Sequence, residues 1–252
     1  MSTKIALVTG GSRGLGKEMA LALAAKGLDV IITYHTNQES ANDVARQITA
    51  LGQKSAVIQL DMGVFGTIPE FVQQLKDLLS INWQTDHFDY LVNNAGTGAT
   101  IPFEQVEEAA FDNLMNIHFK GVFFLTQQLI PLINAQGGII NISSGTTRFC
   151  VPGYSVYSSL KAAVEVFTKY LAKELGAKGI RANIVAPGPI ATDFNNAAIR
   201  SNPQMQAFLT SQTPLGRVGQ ADDIGGVVAF LCSDDARWIN GQRIEVSGGI
   251  NL

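Results

Sequence analysis

Tyr157 and Lys161 lie four residues apart, and a tyrosine next to a lysine can donate a proton. A tyrosine hydroxyl has a pKa of about 10, and lowering it to near 7 takes about 4 kcal/mol. One ammonium group about 4 Å away supplies roughly that amount at an effective dielectric of about 20. The i, i+4 spacing puts both side chains on one helix face. The pair predicts a proton donor, although this spacing alone is more typical of a solvated amphipathic helix.

Ser144 lies thirteen residues before Tyr157, at the end of the apolar run GGIINISS. Ligands of α/β proteins bind at the carboxyl ends of parallel strands. A hydroxyl placed there can stabilise the charge that develops on a carbonyl oxygen. Side chains alternate along a strand, so only one of Ser144 and Ser143 can face the site. Together with Ser144, the Tyr157 and Lys161 pair favours catalysis over a surface role.

The stretch VTGGSRGLGKE fits three glycine motifs. A nucleotide P-loop needs Ser or Thr after Lys17, and Glu18 stands there instead. A hydrolase elbow built on Ser12 needs a histidine late in the chain, but all three histidines lie in the first half. The third motif, a dinucleotide-binding turn, needs a strand, a glycine turn and a helix, which is the context observed. A tight turn without a ligand remains an alternative at this point.

The elements that must position these residues alternate between apolar strands and longer helical patterns. Such alternation predicts an α/β fold with a mostly parallel, doubly wound sheet covered by helices on both faces. We find no linker, so residues 1–252 are expected to form one domain, and the segment 192–219 is expected to be a functional lid. The predicted strands are KIALVTG, DVIITY, SAVIQLD, DYLVNNAG, GGIINISS, IRANIVAPG and QRIEVSGG.

Composition narrows the class of protein. The 252 residues are 46% hydrophobic and carry a net charge of −3 without basic runs, which argues against a nucleic-acid partner. Apolar runs are too short for a signal peptide or a membrane span, so no membrane partner is expected. Cys150 and Cys232 are too few for a disulfide framework and favour reduced thiols in a cytoplasmic protein. No metal site is predicted.

Five motifs in order over nearly the whole chain resemble the short-chain dehydrogenase/reductase family. They are Thr9-Gly10-x-x-x-Gly14-x-Gly16, Asn93-Asn94-Ala95-Gly96 with Asn116, Ser144, Tyr157-x-x-x-Lys161, and Pro187-Gly188. The resemblance implies a Rossmann-type fold and nicotinamide-dependent hydride transfer. It also implies a homotetramer formed through the two long helices and the C-terminal strand.

The same resemblance implies individual roles for the catalytic residues. The spacing to Tyr157 selects Ser144 over Ser143, and Tyr157 is the general acid. Lys161 assists Tyr157 and holds the nicotinamide ribose, and Asn116 anchors a water that relays protons. A structural asparagine bonded to the helix backbone remains the alternative for Asn116. His118, two residues on, is interpreted as structural and pointing elsewhere.

NADPH is the expected cofactor. An acid about 20 residues after the glycines would bind the ribose of NAD, but Tyr34 stands there and Asp29 lies at the wrong end of the strand. Arg13 in the glycine turn suits a phosphate, although a solvated Arg13 would leave both cofactors acceptable. Asp61 is expected to contact the adenine ring of the cofactor. Alternatively, its side chain caps the segment that follows it. The expected cofactor-binding residues are Gly10, Ser12, Arg13, Gly14, Leu15, Gly16, Tyr34, His35, Asp61, Met62, Asn93, Ala95, Gly96, Tyr157, Lys161, Pro187, Gly188, Ile190 and Thr192.

The leading hypothesis is an NADPH-dependent reductase of a small-molecule ketone, with a 3-oxoacyl thioester as the leading specific substrate. A dinucleotide sensor without activity is the second hypothesis, and retention of Tyr157 and Lys161 argues against it. An esterase using Ser12 is the third. The pocket is expected to be largely apolar, with Arg148 or Arg200 available to a carboxylate. Its expected apolar residues are Phe149, Val151, Tyr154, Met205 and Phe208. The long connection SINWQTDHF is assigned to the surface at the far end of the sheet.

Overall fold

Seven short apolar segments form strands, as the sequence predicted, in a computed structural model that describes residues 3–252. They form one sheet in the order β3-β2-β1-β4-β5-β6-β7, and every neighbouring pair is parallel. The bounds are Ile5–Val8 (β1), Asp29–Tyr34 (β2), Ser55–Gln59 (β3), Phe88–Asn93 (β4), Ile133–Ile142 (β5), Arg181–Pro187 (β6) and Arg243–Val246 (β7).

Helices connect these strands and cover both faces of the sheet, which is the α/β doubly wound, Rossmann-type architecture that was predicted. Their bounds are Gly14–Ala25 (α1), Gln38–Ala50 (α2), Ile68–Trp83 (α3), Glu108–Met115 (α4), Gly121–Leu129 (α5), Ser155–Leu175 (α6), Phe194–Ala197 (α7), Pro203–Ser211 (α8) and Asp222–Leu231 (α9). No helix within the described part of the chain is long and apolar enough to span a bilayer.

Two apolar cores lie on the two faces of the sheet because successive strand residues point in opposite directions. Leu7 of β1 belongs to the core that includes Leu75 of α3, whereas Val8 belongs to the core that includes Met19 of α1 and Val228 of α9. All four residues of β1 are buried. This double burial explains why the central strands are apolar throughout instead of alternating.

The strand order reverses direction at β1, whose neighbours are β2 on one side and β4 on the other. The connections leaving β1 and β4 therefore diverge, and a crevice opens at the carboxyl ends of these two strands. The glycine turn after β1 and the loop after β4 both lie at this crevice. The fold thus brings the first two predicted motifs to one place.

One long helix was expected between β4 and β5, and the structure interrupts it. A π-helical turn, Asn116–Lys120, separates α4 from α5. Such turns insert one extra residue per turn and are frequent at functional sites. The turn changes the direction of the side chains that follow Asn116, which the regular helical spacing did not predict.

The first four residues of the connection SINWQTDHF belong to α3, which ends at Trp83 and is followed by Gln84 with a left-handed backbone. The Trp83 indole Nε1 donates a 2.7 Å hydrogen bond to the Asp29 carboxylate at the start of β2. The segment therefore lies at the amino ends of the strands, away from the crevice, as expected from the sequence.

The segment 192–219 contains two short helical elements where the sequence showed no pattern. Asn195 and Asn196 in α7 have left-handed backbones, so this element is a tight turn more than a helix. In α8, Pro203 occupies the first turn and the side chain of Asn202 accepts a 3.0 Å hydrogen bond from the Met205 amide. These two residues are an ordinary helix start that a closer examination of the sequence would have predicted.

Candidate active site

Tyr157 and Lys161 lie on the first two turns of α6, and both are buried, with 8% and 6% of their surfaces exposed. The Lys161 ammonium lies 5.7 Å from the centre of the Tyr157 ring and donates a 2.8 Å hydrogen bond to the Ile142 carbonyl at the end of β5. The pair therefore faces the sheet instead of solvent. This geometry excludes the alternative of a solvated helix face.

Burial dominates the proton affinities of this pair in the polypeptide itself. It lowers the pKa of Lys161 to about 8, which still leaves the ammonium largely charged at neutral pH. It raises the pKa of Tyr157, and a hydrogen bond with Ser144 opposes that increase. The sequence predicts instead that Lys161, together with the nicotinamide charge, lowers the pKa of Tyr157. In the chain alone, Ser144 is the group that lowers the pKa of Tyr157.

Ser143 and Ser144 take opposite directions after β5. The Ser143 hydroxyl donates a 2.6 Å hydrogen bond to Glu165 on α6. Ser144 instead begins a short 3₁₀ turn, Gly145–Thr147, where its Oγ accepts hydrogen bonds from the Thr146 amide and hydroxyl. Only Ser144 has the position of a partner for Tyr157.

His118 is closer to Tyr157 than expected. The two rings meet edge to face with centroids 5.1 Å apart, because the π turn redirects the side chain. Its Nε2 lies 2.7 Å from the Thr97 carbonyl oxygen, and its buried Nδ1 has no hydrogen-bond partner within residues 3–252. Burial lowers the pKa of His118 to about 3, and the nearby Lys161 charge acts in the same direction. A neutral imidazole therefore packs behind Tyr157. Asn116, half-buried, begins the same π turn.

The glycine turn packs tightly against the loop after β4. Gly10 has a positive φ of 65°, and a side chain on Gly16 would lie 2.2 Å from the Gly10 carbonyl oxygen. The Asn94 side-chain amide donates to the Thr9 and Gly10 carbonyls, while the Thr9 hydroxyl accepts from the Asn94 and Ala95 amides. Positions 10 and 16 therefore both require glycine, because a side chain at either one would prevent the tight turn from forming.

The helix that follows this turn has the features of an anion site. Helix α1 has no acidic residue in its first turn and no side-chain cap. Its first amides and the positive end of its dipole thus point into the crevice, where a pyrophosphate fits. Ser12 and Leu15 are half-buried in the turn, and Arg13 is exposed at its rim.

The end of β2 has no carboxylate aimed at a ribose. Tyr34 is buried, and the exposed His35 has its Nε2 3.2 Å from the Asp61 carboxylate. Asp61 also accepts a 2.8 Å hydrogen bond from the Gly63 amide, so it acts as a local cap as well. Met62 beside it is buried. Asp29 lies at the opposite end of the strand, as predicted.

Asn93 is the last residue of β4. Its side chain points into the protein, where Nδ2 donates to Thr126 and Asn141 at 2.9 and 2.8 Å. Its side chain is thus committed to the interior, and only its backbone remains for a ligand. Ala95, which is half-buried, and Gly96, which is exposed, follow at the crevice itself.

The loop after β6 returns to the glycine turn. Gly188 lies against Ser247 so closely that a side chain there would come within 2.7 Å. Ile190 forms an isolated parallel bridge with Gly219, which closes the segment 192–219 at its base. Thr192 is buried beside Gly14. Pro187, Gly188, Ile190 and Thr192 are therefore all at the crevice.

Segment 192–219 lies against Tyr157 and Tyr154 through two residues that sequence reasoning missed, Phe194 and Asn195. The Phe194 ring lies 6.1 Å from the Tyr157 ring, and the Asn195 amide donates to Thr100 Oγ1 and to the Tyr154 hydroxyl. Tyr154, predicted for the pocket, packs 6.0 Å from Tyr157. The site is bordered by aromatic rings.

Two arginines considered for a substrate carboxylate already have protein partners. Arg148 binds the Glu245 carboxylate and the Ile250 and Asn251 carbonyls, and Arg200 pairs with Asp193. The pairing of Arg148 with Glu245 was not visible in the sequence, because the two residues lie 97 positions apart. Phe149 packs on Gly145, while Val151, Met205 and Phe208 remain exposed.

Known proteins match this chain over nearly its whole length. A family model described as Enoyl-(Acyl carrier protein) reductase matches residues 10–251. The chain is 38% identical to the 3-oxoacyl-(acyl-carrier-protein) reductase FabG of Staphylococcus aureus, over 99% of both chains. Among solved structures, the promiscuous reductase LugOII, which catalyses a keto-reduction at C1, has a TM-score of 0.93 at 35% identity, covering 98% of this chain and 97% of that one.

The angucycline C-6 ketoreductase LanV, solved with bound NADP, has the same TM-score of 0.93 at 35% identity, covering 98% of this chain and 95% of LanV. The family match, the parallel sheet and the ordered motifs agree from one end of the chain to the other. The protein therefore belongs to the short-chain dehydrogenase/reductase family.

Proposed function

We propose that this protein is an NADPH-dependent ketoreductase that converts a small-molecule ketone to a secondary alcohol. The observation that carries the proposal is the buried cluster of Ser144, Tyr157 and Lys161 beside a helix N-terminus suited to a pyrophosphate. LanV, a ketoreductase solved with NADP, supports both the reaction and the cofactor.

The residues of the chain divide the work as follows. Ser144 donates a hydrogen bond to the substrate carbonyl oxygen and orients it. The Tyr157 hydroxyl gives its proton to that oxygen as negative charge develops. Lys161, still charged at neutral pH, stabilises the resulting tyrosinate. Reduced nicotinamide supplies the hydride that the carbonyl carbon accepts.

Residues at the crevice hold the cofactor in this proposal. Gly10, Ser12, Gly14, Leu15 and Gly16 bind the pyrophosphate through the turn and the start of α1. Arg13 and His35, with Tyr34 beside them, favour the 2′-phosphate of NADPH, and Asp61 and Met62 border the adenine. The nicotinamide half contacts Asn93 through its backbone, Ala95, Gly96, Tyr157, Lys161, Pro187, Gly188, Ile190 and Thr192. Asn116 holds the water that returns a proton to Lys161.

Segment 192–219 is proposed to close over the substrate. Phe194 and Asn195 support this role because they bridge the segment to Tyr157, Tyr154 and Thr100. A lid of this kind excludes water from the reacting groups. We also propose that residues 1–252 act as one domain, and that the protein is a cytoplasmic homotetramer.

A 3-oxoacyl thioester is the second candidate substrate, since FabG of Staphylococcus aureus resembles the whole chain. The pairing of Arg148 and Arg200 with acidic residues argues against an acidic carrier protein docking through them. An uncharged ketone is therefore the substrate that we favour.

The test is oxidation of NADPH, followed at 340 nm, against polycyclic aromatic ketones, simple ketones and a 3-oxoacyl thioester. Turnover that disappears in Tyr157→Phe supports the proposal, and the fastest substrate identifies the class. Tight NADPH binding with no turnover on any ketone would favour a regulatory dinucleotide sensor instead.

A further inference from the structure

Three hydroxyl groups form a chain that runs from Ser158 through Thr146 and ends at Ser144. The Ser158 hydroxyl donates a 2.9 Å hydrogen bond to Thr146 Oγ1, and Thr146 Oγ1 donates a 2.9 Å hydrogen bond to Ser144 Oγ. The Thr146 amide donates to the same Ser144 oxygen at 3.2 Å. Ser158 directly follows Tyr157 on α6, so the chain joins the catalytic helix to the catalytic serine.

The backbone of Ser144 is held by a different set of groups. Its carbonyl oxygen accepts hydrogen bonds from Thr147 Oγ1 at 2.9 Å and from the Arg243 guanidinium at 3.3 Å. Arg243 in turn binds Glu165 on α6 at 2.9 Å. These contacts reach the Ser144 carbonyl oxygen, whereas the Thr146 hydroxyl contacts the Ser144 side chain.

We propose that Thr146 is a positioning residue which, with Ser158 behind it, directs the Ser144 hydroxyl hydrogen toward the substrate carbonyl oxygen. The inference rests on the proposed ketone reduction. A hydroxyl oxygen has two acceptor positions and one hydrogen. The Thr146 amide and hydroxyl occupy both acceptor positions of Ser144, so its hydrogen is left to donate into the site.

Ser158 sets the direction of this chain. Its hydrogen bond to Thr146 occupies an acceptor position on Thr146 Oγ1 and leaves the Thr146 hydrogen to point at Ser144. Successive hydrogen bonds polarise one another, so each donor upstream makes Ser144 a stronger donor downstream. If Ser144 Oγ only capped the 3₁₀ turn, its hydrogen bond from the Thr146 amide would be enough. A substitution of the Thr146 side chain keeps that amide and therefore tests the hydroxyl alone.

The decisive variant is Thr146→Val, which removes the hydroxyl and keeps the volume and the amide. We expect kcat for ketone reduction to fall about 3- to 10-fold, the effect of one neutral hydrogen bond, while KM for NADPH stays constant. Thr146→Ser restores the hydroxyl and should recover kcat. Ser158→Ala should lower kcat by a smaller factor. The matched control is Ser159→Ala, since Ser159 is the exposed neighbour on the same helix.

A pH profile separates positioning from a loss of stability. Alcohol oxidation, the reverse reaction, needs the Tyr157 anion, so its rate rises with pH. The groups around Tyr157 are Ser144, Lys161, His118 and Tyr154, and the Ser144 hydrogen bond lowers the pKa of Tyr157. Thr146→Val should therefore move the rise to higher pH, whereas Ser159→Ala should not.

The outcomes are distinct. An active wild-type enzyme with unchanged kcat and pH profile in Thr146→Val overturns the role of Thr146 alone. A kcat loss in Thr146→Val that Thr146→Ser does not recover also overturns it. Wild-type protein that turns over no ketone overturns the proposed function and this inference together. Circular dichroism melting of each variant identifies any that is unfolded, and Ser158→Ala then supplies the test.

Discussion

Buried polar groups are hydrogen-bonded to different extents at the two ends of the parallel sheet. At the amino ends of the strands, both oxygens of the Asp29 carboxylate accept 2.7 Å hydrogen bonds, one from the Lys54 amide and one from Trp83. Asp89 is paired in the same way with the Ile5 amide and the Asn134 side chain. Each oxygen of these two carboxylates therefore accepts a hydrogen bond, and the paired carboxylates stabilise the fold.

At the carboxyl ends, the buried polar groups are incompletely satisfied. His118 has an unpaired Nδ1, and Lys161 has one carbonyl partner and no carboxylate among the described residues. Burying such groups costs free energy. We infer that the amino edge contributes stability, whereas the carboxyl edge gives up some stability by burying His118 and Lys161.

Tyr157→Phe gives the largest expected effect at the carboxyl edge. Removal of the proton donor should lower kcat for ketone reduction about 10³-fold, within the range for general acid catalysis. The melting temperature should not fall, since within residues 3–252 this hydroxyl makes no hydrogen bond to the fold beyond the one with Ser144. Steady-state kinetics and thermal melting check both expectations, and substantial activity in the variant would refute the role of Tyr157.

Lys161→Met should lower activity and raise stability at once. Loss of the ammonium removes about 4 kcal/mol of support for the tyrosinate, so kcat should fall about 10²- to 10³-fold. Burial lowers the pKa of Lys161 to about 8 from 10.5, so between these pH values the unfolded chain binds more protons than the folded one. The stability of the wild-type protein therefore rises with pH across this interval.

The methionine variant lacks this dependence. It should be about 1–2 kcal/mol more stable at pH 7, after allowance for the lost hydrogen bond to Ile142, and the advantage should shrink between pH 8 and 10.5. Urea unfolding at pH 7, 8.5 and 10 measures it. An advantage that grows with pH would contradict the assignment of Lys161 as a buried charge.

Asp29→Ala is the corresponding change at the amino edge. It leaves the Lys54 amide and the Trp83 indole without their acceptor, which should cost about 3 kcal/mol of stability. For a domain of this size the melting temperature should drop by roughly 6–10 °C. The activity of the folded enzyme should be unchanged, and the exposed Asp77→Ala on α3 is the control. A loss of kcat without a loss of stability would show that the two edges are not separate.

Arg13→Gln should give the smallest effect, and one confined to the cofactor. Loss of a charge-assisted hydrogen bond to a phosphate should raise KM for NADPH about 10- to 30-fold and leave KM for NADH unchanged. Lys26→Gln, an exposed charge at the far end of α1, is the control. Equal changes for both cofactors would indicate that Arg13 does not contact the 2′-phosphate.

The strands, their parallel pairing and much of the site were predictable from the sequence. A strand that is buried on both faces must be apolar throughout, so the local sequence DVIITY predicts a central strand. Side chains at i and i+4 of a helix lie on one face, so Tyr157-x-x-x-Lys161 predicts that the two groups are neighbours. The glycine spacing around Gly10 and Gly16 likewise reflects a backbone that can close in only one way.

Contacts between distant segments were decided only by the tertiary structure. The π turn rotated His118 onto Tyr157, the interior hydrogen bonds turned Asn93 away from the crevice, and Arg243 reached the Ser144 carbonyl from 99 residues further along the chain. Periodicity reports which face of an element is buried, but it contains no information about which polar group from another element will meet it there. That pairing depends on how the helices pack across the sheet.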